Sequence, residues 1–153
     1  MKKRIIALGL LWCLSAVMLQ AARVDTVLVR SAAMNKDVKV VYVLPDKAIG
    51  KQACPVVYLL HGYGGNARSW VQLKPELPQM ADEKGIIFVC PDGKNSWYWD
   101  SPENPAYRYE TFVTSELVKY TDGNYATIPD RKARAISGLS MGGHGALWSA
   151  IPS

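Results

Sequence analysis

An α/β fold with a mixed, mainly parallel sheet fed by a leading hairpin is predicted by three patterns in this 153-residue chain. The first is strict alternation from Asp25 to Leu44. The second is a set of three short runs that read as buried strands, each closed by turn residues. The third is helical spacing in the segments between those runs.

Each element follows in order. In the alternating stretch Val27 and Val29 face one way, Met34-Asn35-Lys36-Asp37 form a polar turn, and Val38, Val40, Tyr42 and Leu44 resume the alternation, which makes a β-hairpin. A loop from Pro45 to Cys54 leads into Pro55-Val56-Val57-Tyr58-Leu59-Leu60, bounded by His61-Gly62. A run of that kind suits a strand covered on both faces. Ser69 to Asp82 reads as helix interrupted by Pro75 and Pro78, which remove backbone donors. The second buried run, Ile86 to Cys90, ends at Pro91-Asp92-Gly93, and an aromatic loop, Trp97-Tyr98-Trp99 through Tyr107, follows it. Phe112, Val113, Leu117 and Val118 give Tyr109 to Tyr120 near-helical spacing. The third run, Ala133 to Ser137, passes through Gly138 into a small-residue helix that starts after Ser140. No repeat or linker divides residues 23–153, so one domain is expected.

Composition narrows the function. With 49% hydrophobic and 20% charged residues the chain is an ordinary globular mixture, which excludes collagen-like, low-complexity and largely disordered classes. Residues 1–22 read as a secretory signal peptide: Lys2, Lys3 and Arg4 open it, an apolar run extends from Ile5 to Leu19, and small Ala21 and Ala22 close it. The run falls short of the about 20 apolar residues of a membrane span, and the bulky Trp12 before Cys13 disfavours lipidation. An exported protein, periplasmic or extracellular, with no stable membrane span after cleavage is the expectation. The formal charge of +5 loses three cations with the leader, leaving 15 basic against 13 acidic residues. Basic side chains are scattered apart from Arg131, Lys132 and Arg134, so nucleic acid is not an expected partner. Cys54 begins one predicted strand and Cys90 ends another. In parallel strands roughly five residues of rise at about 3.3 Å each separate them, beyond the about 7 Å that a disulfide spans, so two buried thiols are expected.

The chemistry concentrates in Gly138-Leu139-Ser140-Met141-Gly142, a G-x-S-x-G sequence between a predicted strand and a predicted helix. The bare pattern arises by chance in roughly one chain in twenty of this length, so the placement carries the argument. A tight strand-to-helix turn pushes a serine hydroxyl out of the sheet, and glycines keep side chains out of the close crossing. Gly143, Gly145 and Ala146 extend the small-residue zone. A second glycine cluster, His61-Gly62-Tyr63-Gly64-Gly65, follows the first buried run, where it can supply one backbone N–H of an oxyanion hole while the residue after the serine supplies the other. Those donors are Tyr63 and Met141, each worth about 3 kcal/mol of transition-state stabilisation. Either cluster alone would read as a plain turn; the two together, each after a buried strand, argue for catalysis.

With these residues on the page, the chain resembles the N-terminal part of the esterase D and "putative esterase" branch of the α/β-hydrolases, which includes S-formylglutathione hydrolases, feruloyl and acetyl xylan esterases, and mycolyl transferases. The matching stretches are Tyr58 to Gly65, Pro91-Asp92-Gly93, Ser96-Trp97-Tyr98, Tyr109-Glu110-Thr111-Phe112 and Ser137 to Ala146. They extend across nearly all of the chain after the leader. The resemblance implies an α/β-hydrolase fold, C-terminally truncated, with Ser140 as nucleophile and no cofactor.

A serine nucleophile needs a histidine base oriented by a carboxylate, and this fold places both after the serine. The residues after Ser140 contain His144 but no carboxylate. His144 is expected to pack or cap in the nucleophile helix, and His61 to serve the loop structurally. Asp92, Asp100, Asp122 and Asp130 precede Ser140 and read as loop or turn acids. A fragment of a longer esterase is therefore expected, with Ile136, Leu147 and Trp148 forming an exposed apolar face.

Trp97, Tyr98 and Trp99 crowd the mouth of the expected site and are candidate substrate contacts for a sugar or a phenolic acyl group, with plain packing under a long loop as the alternative. The function expected is a secreted serine carboxylic-ester hydrolase acting on small or carbohydrate-linked acyl esters. Its alternatives are an inactive exported fragment or binding module using the aromatic loop, and an acyltransferase of the same fold. The cysteines and histidines lack close-spaced metal-ligand sets, and no phosphate-binding loop is present. Oligomeric state is not legible.

Overall fold

The computed structural model describes residues 22–151. The expected leader therefore lies outside the described residues apart from Ala22, which is buried. Five strands form one mixed sheet in the order β1-β2-β4-β3-β5. The strands are β1 (Arg23–Ser31), β2 (Lys36–Leu44), β3 (Val56–Leu60), β4 (Ile87–Pro91) and β5 (Arg134–Gly138). β1 and β2 make the expected antiparallel hairpin with Val29 opposite Val38, and β2 runs antiparallel to β4. β3 is parallel to both β4 and β5, with Tyr58 beside Val89 on one side and Leu60 beside Gly138 on the other.

Because successive strand residues point to opposite faces, the sheet builds two apolar layers. Val40, Tyr42, Tyr58, Leu60, Ile87 and Val89 face the helices that follow β4 and β5, where Phe112, Leu117 and Met141 complete the layer. Val41, Val43, Leu59, Phe88 and Cys90 face the opposite side and are covered by Ala67, Leu77 and Ala81. The proline-interrupted helix is two pieces, α2 (Ser69–Leu73) and α3 (Leu77–Lys84), and α3 ends at Gly85 in the left-handed conformation that a helix C-terminus favours.

Four details depart from the sequence expectations. The third run, expected to be buried, forms β5 but is nowhere fully buried. The hairpin turns earlier, Asn35 N–H bonding Ala32 O at 3.3 Å, so Lys36 and Asp37 belong to β2. The loop after Pro45 holds a single turn of helix, α1 (Asp46–Ile49). The helix after Tyr109 runs as α4 (Tyr109–Thr111), a π-helical segment Phe112–Glu116, and α5 (Leu117–Asn124). Asp122 accordingly sits on α5 rather than in a loop, and it pairs with Arg134 of β5. Asp100 caps this helix from the preceding loop, its two carboxylate oxygens accepting from the Thr111 N–H at 3.0 Å and hydroxyl at 2.5 Å.

Cys54 and Cys90 are free and buried, as expected. Burial pushes the Cys90 thiol up to about 12. Among the described residues no helix is long and apolar enough to cross a membrane.

Candidate functional site

Ser140 stands between β5 and α6 (Met141–Ala150), at the N-cap of the helix, with φ 54° and ψ −116°. Left-handed backbone at a non-glycine residue costs about 1–3 kcal/mol and persists only where the surroundings enforce it. Here three backbone bonds do so: Leu139 N–H to Leu60 O at 3.2 Å, Gly142 N–H to Leu139 O at 2.8 Å and His144 N–H to Ser140 O at 3.0 Å. The strand and helix cross so closely that a Cβ on Gly138 would overlap the backbone of Gly142, and one on Gly142 would overlap the Leu60 carbonyl. Gly143 is under no such constraint, since a Cβ there would meet Gly138 O at an ordinary 3.4 Å. The outcome is an exposed serine directly followed by a fully buried Met141. The backbone donors at the start of α6 lie beside the serine, where the helix dipole favours developing negative charge.

The His61–Gly65 loop flanks the serine from the end of β3. A Cβ on Gly62 would stand 3.6 Å from the Ser140 Cβ and 3.3 Å from Leu139 O. Tyr63, next in the chain, is exposed on this loop, and Met141 is the first residue of α6, so the two expected oxyanion donors come from the two segments that meet at Ser140.

His61 is buried and its ring is fully employed. Gly93 N–H donates to Nε2 at 2.9 Å, which leaves the ring proton on Nδ1, 2.7 Å from Gly62 O. It thus ties the loop after β3 to the loop after β4, the structural role expected of it. Asp92, beside it, turns its own loop by accepting from the Lys94 N–H at 3.0 Å and ammonium at 3.1 Å. Burial works upward on the Asp92 carboxyl, but the Lys94 N–H and ammonium outweigh that and hold it well below the usual carboxylate range. Only the Lys94 contacts are within bonding distance, His61 Nε2 lying 3.6 Å away.

The aromatic loop divides in two. Tyr98 is fully buried: its ring fills the space that side chains at Gly93 and Gly145 would need, and its hydroxyl donates to His61 O at 3.2 Å. Burial pushes its phenol up. Tyr98 is therefore not a substrate contact, contrary to the sequence expectation; it wedges between the two glycine-bearing segments and braces both. Trp97 and Trp99 point outward, about 45% exposed, and with His144 and Trp148 they line an apolar groove of about 400 Å³. The groove's rings are held in place. His144 Nδ1 lies 3.2 Å from Trp97 O, its ring meets Trp97 edge-on at 5.5 Å and stacks on Trp148 at 6.3 Å, and Trp148 Nε1 donates to Glu110 at 2.8 Å. His144 thus orders the groove, and neither it nor His61 is hydrogen-bonded to Ser140.

Sequence reasoning placed Trp148 on a bare apolar face. The signal for its groove role was its spacing of four residues from His144, one helical turn. Glu110 gave no comparable signal, because its partner is 38 residues away.

Comparison with known proteins gives a consistent result. Residues 31–153 match the model of the family described as "Putative esterase". An acetyl esterase from Caldicellulosiruptor saccharolyticus is 30% identical over 129 residues, 79% of this chain and 48% of that protein. A Bos taurus S-formylglutathione hydrolase is 32% identical over 132 residues, 72% of this chain and 45% of its own length. Among solved structures, an S-formylglutathione hydrolase from Agrobacterium tumefaciens superposes with a TM-score of 0.75 at 29% identity, covering 85% of this chain and 53% of that one. A ferulic acid esterase superposes at 0.70 and 30% identity, covering 82% and 53%. The chain spans about half the length of the curated relatives it matches.

Proposed function

Since the chain belongs to the putative esterase family, we propose that it carries the nucleophile half of a serine carboxylic-ester hydrolase, exported by its leader and acting on small or carbohydrate-linked acyl esters. The observation that carries the proposal is Ser140, exposed and held in left-handed backbone at the head of α6 with Gly62 packed against it. In the reaction, Ser140 Oγ attacks the ester carbonyl carbon as its proton passes to a base. The N–H groups of Tyr63 and Met141 hold the resulting oxyanion. Collapse expels the alcohol, which takes up the proton, and water then attacks the acyl-serine, releasing the acid and restoring the hydroxyl. An alcohol acceptor in place of water turns the same intermediate to acyl transfer.

The base is not in view. His61 is committed to Gly93 and Gly62, and His144 to Trp97. The proposal therefore assigns the imidazole and its carboxylate to residues outside these 153, which fits relatives about twice as long. Substrate class rests on the groove, whose oriented tryptophan faces suit a sugar ring or an aryl acyl group. The lack of an imidazole bonded to Ser140 also favours a second reading, an inactive exported module that binds through the groove.

A fluorophosphonate probe separates these, because it labels only an activated serine. The full-length protein should be labelled and should hydrolyse p-nitrophenyl acetate, and Ser140→Ala should abolish the labelling and lower kcat by on the order of 10⁵-fold or more. A full-length protein that is neither labelled nor active supports the binding module instead.

A further inference from the structure

The loop that carries the Tyr63 N–H has one unsecured joint, and a side chain from another loop closes it. Gly65 N–H bonds Gly62 O at 3.0 Å, closing a four-residue turn with Tyr63 and Gly64 at its centre. Gly64 has φ +77° while Tyr63 stays at negative φ, which makes the turn type II. The competing type I turn keeps the same closing bond and differs by a flip of the central peptide, the Tyr63 carbonyl with the Gly64 N–H. The flanks of the turn are fixed. Before it, His61 is locked by Gly93 and Tyr98. After it, Gly65 is packed so tightly that a Cβ would stand 2.8 Å from both His61 Nδ1 and Ser69 Oγ, and Asn66 N–H donates to Ser69 Oγ at 2.8 Å. At the centre the turn is open on the Gly64 side, where nothing lies within 4 Å of a Cβ built on that residue.

What does hold it is Asn95. Its side-chain oxygen accepts the Gly64 N–H at 2.8 Å, an interaction open to the type II orientation and withdrawn when the peptide flips. Asn95 itself has a fixed base: Lys94 is in left-handed backbone at φ 51°, Asp92 accepts its N–H, and Ser96 N–H bonds Gly93 O at 3.3 Å.

We propose that Asn95 is a positioning residue, its side-chain carbonyl fixing the Tyr63–Gly64 peptide and with it the loop that presents the Tyr63 N–H beside Ser140. The assignment rests on the esterase reading above. A flip reverses a peptide dipole directly next to the oxyanion donor, so the effect falls on the transition state rather than on substrate binding.

The test uses the full-length enzyme with Asn95→Ala, which removes the acceptor, and Asn95→Asp, which keeps one. Rates with p-nitrophenyl acetate are read alongside amide hydrogen exchange at Gly64. Asn95→Ala should lower kcat about 10- to 100-fold with KM within about twofold, below the full loss of an oxyanion donor, and should speed Gly64 exchange. Asn95→Asp should restore the slow exchange and most of kcat. An active enzyme in which Asn95→Ala leaves kcat unchanged, or in which Asn95→Asp fails as badly as Asn95→Ala, overturns the positioning role alone. A wild-type protein with neither turnover nor fluorophosphonate labelling overturns the esterase reading and the role together.

Discussion

The two sides of the sheet's centre are built on different principles. In β2 and β4, Val40, Val41, Tyr42, Val43, Ile87 and Val89 are fully buried, and a strand's place follows from how much apolar surface it hides. Around β5 and α6 burial is less complete: Met141 is fully buried, but β5 is nowhere fully buried, and Leu139, Leu147 and Ile151 are more than half exposed. Beside β5 lies an open hollow of about 550 Å³, lined among others by Tyr58, Arg134 and Ser149, whose Oη, Nε and Oγ have no hydrogen-bond partner among the described residues. Ser140 belongs to this second region. Its position is fixed by backbone meeting backbone, through glycines and enforced dihedral angles, so the turn at Ser140 depends on clearances where β2 and β4 depend on area.

That contrast is sharpest at Gly142. A methyl group there would press on the Leu60 carbonyl and on His61 O, and backbone in and next to a paired strand does not yield, so Gly142→Ala should cost more than about 4 kcal/mol in urea unfolding. A loss below about 1 kcal/mol would mean that the crossing is soft and the comparison mistaken. In the other region, Ile87→Ala removes buried area and opens a cavity; about 3 kcal/mol is expected from the same measurement. If deleting three heavy atoms' worth of packing at Ile87 proves harsher than adding one at Gly142, clearance does not govern the site. The smallest effect has the opposite sign. Ser140→Gly relieves the left-handed strain but adds chain entropy to the unfolded state, for a net gain of about 1 kcal/mol together with loss of phosphonate labelling. A variant less stable than the parent would show that Ser140 is not held under strain.

The legibility of the two regions differed in the same way. Strands such as Val56–Leu60 and Ile87–Pro91 were readable because a buried strand must be apolar throughout, and alternation marked the hairpin to within a residue or two. The turn at Ser140 was readable because Gly138 and Gly142 are sterically compulsory and therefore leave a spaced pattern. Tyr98 was not, because a tyrosine braced beneath a glycine and one facing solvent look alike in sequence; the hint lay in Gly93 and Gly145, residues distant in the chain that its ring keeps small. Asn95 was also silent, since a single side-chain carbonyl serving an amide 31 residues away follows no periodicity. The two histidines read as structural in the sequence, and the hydrogen bonds of His61 and His144 name the work of each.

The groove has an optical consequence. The chain has five tryptophans; Trp12 lies outside the described residues, Trp70 donates its indole N–H to Leu60 O beneath the sheet, and the other three line the groove around His144. Three of this chain's five tryptophans are therefore concentrated at one half-exposed surface one helical turn from Ser140. A molecule settling there displaces water from Trp97, Trp99 and Trp148 at once, shifting the intrinsic emission to shorter wavelength, so the native protein carries an unlabelled fluorescent reporter of its own occupancy.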